Sequence, residues 1–210
     1  GGAMLAVGLT EDEARKEIGP ELSIAAINGP RAVVVSGPGQ AIAALGTRLE
    51  NRGVVQRRIE VSHAFHSTLM NPMLDDFRAS LADSDFSAPT VAYVSALRGS
   101  LVEAELCSAN YWVEHVRGPV RFADAAHALD DAGARAFIEI GPGPILSGLL
   151  RGVLTPPPLS VPSMRKGLSE SESLLEAAGA WFCRGGGLRW DAVNPGGQRV
   201  PLPGVVWQRE

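Results

Sequence analysis

The chain has 210 residues, 45% of them hydrophobic and 20% charged, with a formal net charge of −4. This is globular composition with enough apolar material for a sizeable core. It offers no general attraction for nucleic acid or anionic lipid, because the basic residues are scattered apart from short pairs such as Arg57-Arg58 and Arg165-Lys166.

The first sixty residues alternate in hydrophobic period. AMLAVGL is a short apolar run, and TEDEARKEI has an N-cap threonine followed by acids in its first turn. LSIAAI and RAVVVSG are two further runs around the turn residues Asn28-Gly29-Pro30, PGQAIAALGTRLENRG is helical, and VVQRRIEV returns to strand. The order β-α-β-β-α-β predicts a ferredoxin-like, split βαβ unit over residues 1–60. The chain opens directly in what reads as a strand, with no cap, tail or initiating methionine, so a fragment is expected.

VSHAFHS follows, and then longer helices with isolated strands. STLMNPMLDDFRASLAD is amphipathic, TVAYVSAL reads as a buried strand, and SANYWVEHV and PVRFADAAHALDDAG are helical. ARAFIEIGPGPILSGLLRGV is a strand, a Gly-Pro turn and a helix. Strands alternating with helices predict a mostly parallel sheet covered on both faces over residues 61–155. Beyond lies TPPPLSVPS, a proline-rich break, then the helix SESESLLEAAGAWFCRGG ending at glycines. The tail LRWDAVNPGGQRVPLPGVVWQRE reads as an extended segment, so residues 156–210 form a last helix and a linker. No apolar run reaches the roughly 18 residues of a membrane helix, and the start lacks the basic flank of a signal peptide. Cys107 and Cys183 have no CxxC pairing, which argues against a disulfide framework or a zinc site and for buried free thiols in a reducing cytoplasm.

Three motifs carry candidate chemistry. His63 and His66 bracket Ala64 and Phe65 where the chain leaves one subdomain for another, a preferred place for ligand sites. Either imidazole could be purely structural, and as metal ligands they lack an acidic or thiol neighbour at a suggestive spacing. The strand-GPGP-helix turn could cradle a phosphate on free backbone donors, yet prolines remove donors and neither GxGxxG nor a P-loop is present, which favours a structural turn. The aromatic residues of NYWVEHVRGPVRF, at helical spacing, read as core.

Taken in order, GGAMLAVGL with AAINGPRAVVVSGP, VSHAFHSTLMNPML, YWVEHVRGPVRFADA, FIEIGPGPILSGL and RVPLPGVVWQRE make the chain similar to a known family. It resembles the C-terminal portion of the acyltransferase domain of modular type I polyketide synthases, related to the malonyl-CoA:acyl-carrier-protein transacylases of fatty acid synthesis. The resemblance implies a ferredoxin-like insert within an α/β-hydrolase-like large subdomain, with VSHAFHS as the return crossing and RVPLPGVVWQRE as the linker after the domain. It implies His66 as catalytic base in acyl transfer through a serine ester, from malonyl-CoA to the phosphopantetheine thiol of an acyl carrier protein. It further implies His63, Ala64 and Phe65 as selectivity residues: HAFH accompanies malonyl-CoA in the family and YASH the bulkier methylmalonyl-CoA, so the Phe65 ring would fill the space of an α-methyl. His115 stands where relatives carry an Asn or Gln that orients the base, a departure that leaves either its side chain or its backbone carbonyl for that role.

The family's GHSxG nucleophile and the arginine that pairs with the malonyl carboxylate have no counterpart in the sequence. The resemblance implies that both lie in an N-terminal half upstream of Gly1, together with the oxyanion donors. The chain alone is therefore expected to be inactive, with no bound cofactor or metal, and its partners would be that half, the carrier protein and neighbouring synthase domains. An α/β-type serine hydrolase and a non-catalytic interaction module are the alternatives; the hydrolase gives no reason for the HAFH pocket.

Overall fold

The largely buried apolar strand Gly2–Val7 (β1) and the capped segment after it set up the first unit of the fold. In this computed structural model, which describes residues 1–198, 200, 201 and 204, helix α1 (Glu11–Glu17) starts at a reciprocal capping box. The Glu13 backbone N–H donates to Thr10 Oγ1 at 3.2 Å and the Thr10 N–H donates to the Glu13 carboxylate at 2.8 Å. Two donors otherwise orphaned at a helix start are thereby satisfied. Strands β2 (Ser23–Gly29) and β3 (Ala32–Pro38) form a hairpin, and α2 (Gly39–Glu50) leads to β4 (Gln56–Ile59).

The four strands pair antiparallel in the order β2-β3-β1-β4, with Leu5 opposite Val35 on one side and Arg58 on the other. One face of this sheet buries Leu5, Val33 and Val35 against Ile42, Leu45 and Leu49 of α2. The second face carries Met4, Ala25 and Val34, with Ile59 and Val61 packed on them. Val61 already belongs to the segment leaving β4, so that segment turns over the second face. At the opposite edge Val120 joins β2: its N–H donates to the Ala25 carbonyl and its own carbonyl accepts from the Ile27 N–H, both at 2.8 Å. The chain thus returns to this sheet at two places distant in sequence, Val61 over its second face and Val120 along its β2 edge.

The rest departs from a continuous parallel sheet. A 3-10 turn over Thr68–Met73, with Pro72 inside it, precedes α3 (Leu74–Ser80), because proline lacks the N–H an α-helix needs there. The expected strand TVAYVSAL shortens to β5 (Tyr93–Ser95), which pairs antiparallel with β6 (Ser100–Val102). The turn between them closes on the buried Ser95 hydroxyl, which accepts from the Leu97 and Arg98 N–H groups at 3.1 Å and meets the Tyr111 hydroxyl at 2.5 Å. A local hairpin has replaced the long crossover a parallel neighbour would require.

Tyr111 lies on α4 (Ala109–Arg117) and packs with Leu97, Val102 and Leu106, as the aromatic spacing predicted. Helices α5 (Phe122–Asp131) and α6 (Ile145–Val153) contribute Ala123, Ala126, Leu150 and Val153 to the main core. Strand β7 (Ala136–Glu139) has one partner among the described residues, β8 (Leu159–Pro162), and the pair is parallel. The proline-rich break thus contains a strand, and the pairing spans the boundary expected at 155/156; Pro162 is accommodated at the strand's end, where a missing donor does least harm.

Helix α7 (Glu170–Cys183) begins at a second capping box, Ser169 with Glu172, and is followed by Gly185 in the left-handed region at φ 86°. The expected extended tail holds a helical turn, α8 (Trp190–Val193), and most of the linker motif lies outside the described residues. Both cysteines are exposed, not buried: Cys107 ends a 3-10 turn and Cys183 ends α7 on a solvent-facing side.

Candidate functional site

His66 is the only non-glycine residue among the described ones with a left-handed backbone, at φ 58°. Such a conformation is sparsely populated for a residue with a Cβ and persists where surroundings over-determine it. Here they do. On its C-terminal side the fully buried Ser67 donates its hydroxyl to the Ala64 carbonyl at 2.6 Å and accepts from the Leu69 N–H at 3.3 Å, so it closes the loop and caps the 3-10 turn together. Ala64 itself is buried against the start of β1, where a Cβ on Gly2 would collide with its own.

The His66 ring is held through Nδ1, which lies 2.7 Å from the Gly118 carbonyl oxygen. A carbonyl only accepts, so Nδ1 carries the hydrogen and Nε2 keeps its lone pair. Burial pushes the His66 pKa below the ordinary imidazole value; the Gly118 bond opposes this, and the Arg117 cation adds to it. The outcome is a neutral, half-buried imidazole near pH 7 with its basic nitrogen fixed in direction. That is the equipment of a general base.

His115 lies three residues before Gly118, and its ring packs at 6.0 Å from Tyr111 and 6.2 Å from Trp112. Burial, and then repulsion from His66 once that ring is protonated, lower its pKa. Among the described residues its side chain makes no hydrogen bond to His66, and the carbonyl that meets Nδ1 is that of Gly118, three residues on, and not His115's own.

His63 and Phe65 point to the outer side of the loop. Their ring centroids are 5.9 Å apart, Phe65 is 41% exposed, and His63 Nδ1 meets the Ser62 hydroxyl at 3.1 Å. Ala64 points inward between them. The three expected selectivity residues therefore adjoin His66 but divide between two sides of the segment.

Sequence reasoning missed four residues here. Gly118 supplies the carbonyl, Ser67 closes the loop, and Arg117 donates through Nε to Asn71 Oδ1 at 3.1 Å and through Nη1 to the His66 carbonyl at 3.4 Å. The available signal was a Ser directly after the second histidine, a capping residue placed to start the next turn.

The Gly-Pro turn is structural. The Glu139 carboxylate accepts from the N–H groups of Ile145, Leu146 and Ser147 at 3.1, 2.9 and 2.8 Å, filling the start of α6 where a phosphate would otherwise sit. Among the described residues no three His, Cys, Asp or Glu side chains converge as a metal site would need, and no helix is long and apolar enough to cross a membrane.

The family model described as acyl transferase domain matches residues 1–185. The phenolphthiocerol synthesis polyketide synthase type I Pks15/1 of Mycobacterium bovis is 44% identical over 212 residues, covering 100% of this chain and 10% of the synthase. The crystal structure of the acyltransferase domain from the second module of the salinomycin polyketide synthase superposes with a TM-score of 0.86 at 43% identity, over 91% of this chain and 46% of that one. The acyltransferase domain of SpnD, solved in complex with 2-(pent-4-yn-1-yl)malonyl, superposes with a TM-score of 0.81 at 35% identity, over 86% of this chain and 46% of that one. The chain thus spans about half of the solved domains and a tenth of the synthase.

Proposed function

The chain belongs to the acyl transferase domain family, in the branch found in polyketide synthases, and on that premise we propose that it supplies the general base and the acyl-selecting loop of a malonyl-CoA:acyl-carrier-protein acyltransferase. The observation that carries the reading is His66, neutral and fixed through Nδ1 to the Gly118 carbonyl with Nε2 free. In this role Nε2 takes the proton of a serine hydroxyl as the oxygen attacks the thioester carbonyl, then returns it to the departing coenzyme A thiolate. The same steps run with the phosphopantetheine thiol of a carrier protein as the second nucleophile, leaving serine free.

The serine, the oxyanion donors and the arginine for the malonyl carboxylate come from polypeptide outside this chain. The absence of any GxSxG from the sequence supports this. So does an apolar surface on and after β7, where Ile138, Ile140 and Ile145 are exposed, Ile140 by 79%. In this reading residues 1–60 are the ferredoxin-like small subdomain, residues 61–155 the C-terminal part of the large subdomain, and residues 156–210 its last helix and linker. Phe65, with His63 beside it, sets the preference for malonyl over bulkier units.

The test is intact-mass measurement of the complete domain incubated with malonyl-CoA. A stable increment of one malonyl group, lost or slowed by orders of magnitude in His66→Ala, is expected, and the 210-residue chain alone should gain none. Acylation of His66→Ala at the parent rate would sink the assignment of the base.

A further inference from the structure

We propose that Arg117 is a positioning residue for His66, gripping the main chain of the base while its neighbour Gly118 grips the ring. This rests on the reading of His66 as base. The geometry is specific to two adjacent residues at the end of α4. The Gly118 carbonyl accepts from Nδ1 at 2.7 Å, and the Arg117 guanidinium reaches the His66 carbonyl at 3.4 Å with Nη1 and Asn71 Oδ1 at 3.1 Å with Nε. Asn71 lies in the 3-10 turn that starts directly after Ser67. One planar fork therefore ties the histidine and the turn following it to α4, across about fifty residues of chain.

The need for such a tie comes from the backbone. His66 sits in the left-handed region, where it would relax if the loop were free, and a shift of about 1 Å in a catalytic group can cost about a hundredfold in rate. Ser67 closes the loop internally but does not attach it to α4. Arg117 does. The plain alternative is that Arg117 is only a cation in the last turn of a helix, favourable to its dipole. A lysine would serve that purpose equally well and could not make the fork, so the two roles separate experimentally.

The experiment uses the complete acyltransferase domain and compares Arg117→Lys, Arg117→Met, Asn71→Ala and His66→Ala in single-turnover acylation across pH. Arg117→Lys should lower the maximal rate about tenfold with KM little changed, and Arg117→Met about tenfold to a hundredfold. The rising limb of the pH profile, which reports loss of the His66 proton, should stay in place in Arg117→Lys, where the cation remains. It should move to higher pH in Arg117→Met, because the cation that favours neutral imidazole is gone. His115 faces the same ring and is unchanged in both. NMR titration of the His66 ring should show the same displacement without reference to activity. If Arg117→Met does not fold, Arg117→Lys and Asn71→Ala carry the test, the latter losing rate in the same direction with the cation intact. Parent-like rates in Arg117→Lys and Asn71→Ala, beside an inactive His66→Ala, would overturn the positioning role alone. Full activity in His66→Ala would overturn both that role and the reading beneath it.

Discussion

Replacing Glu139 with alanine should uncap α6. The carboxylate accepts three backbone N–H groups, with Oε1 shared by Ile145 and Leu146 and Oε2 taken by Ser147. Ile145 and Leu146 are exposed, so water replaces most of what their N–H groups lose, whereas Ser147 is buried and its N–H has no such substitute. One charge-assisted bond that water cannot replace, plus the interaction with the helix start, amounts to about 1–2 kcal/mol after solvent screening of a largely accessible side chain. For a chain of this length that is a fall in Tm of about 2–8 °C. Glu139→Gln keeps one acceptor oxygen but not the charge and should fall roughly halfway. The pH dependence follows from the carboxyl's own position. Burial alone would raise its pKa, but the N–H groups of Ser147, Leu146 and Ile145 outweigh burial and hold it below the usual carboxylate range. A depressed folded pKa contributes stability that is present above the unfolded value of about 4.3 and is lost as pH falls through the folded one. Thermal denaturation of parent and both variants at pH 7, and again in acid, reads the effect directly. An unchanged Tm in Glu139→Ala, or a difference from the parent that persists undiminished in strong acid, would refute the capping argument.

Three further outcomes are expected. In the complete domain, Phe65→Ser with His63→Tyr should raise methylmalonyl-CoA use relative to malonyl-CoA, by at most the roughly ten- to two-hundredfold that one methyl can discriminate; competition with both thioesters at equal concentration measures it, and an unchanged ratio in an active variant places selectivity elsewhere. Ser67→Ala strands the Ala64 carbonyl and loosens the His66 loop, which should cost about 1–3 kcal/mol in denaturant unfolding; a parent-like midpoint would show the loop is held by other means. Because burial, joined by neighbouring charge, lowers the pKa of both His66 and His115, stability should fall as pH drops from about 6.5 through their folded values, since the unfolded chain then binds more protons; a Tm flat between pH 8 and 5 would contradict this.

Most of what could be read from the sequence was local. The N-cap at Thr10, the apolar run of β1 and the helical spacing of α4 act over a few residues, and each element formed where its pattern lay. The Glu139 cap is also local, six to eight residues from its donors, but it was missed because proline and glycine drew attention to the turn and not to the acid before it. The paired histidines marked the candidate site for the same reason: they lie three residues apart in the chain.

Pairings between distant segments were decided only in three dimensions. Strand β8 hides among prolines because the parallel ladder with β7, not its own composition, makes it a strand. Strand β6, with its exposed Ser100 and Leu101, has no alternation strong enough to announce itself, and the exposure of both cysteines depends on where their elements end. The partner of His66 is 52 residues away and is a main-chain carbonyl, which every residue possesses and which therefore leaves no mark in the residue type. Sequence could name the imidazole because side-chain chemistry is written in it. The tertiary structure supplied the tautomer, the depressed pKa and the left-handed backbone, because each depends on which atoms the fold brings within about 3 Å of that ring and its carbonyl.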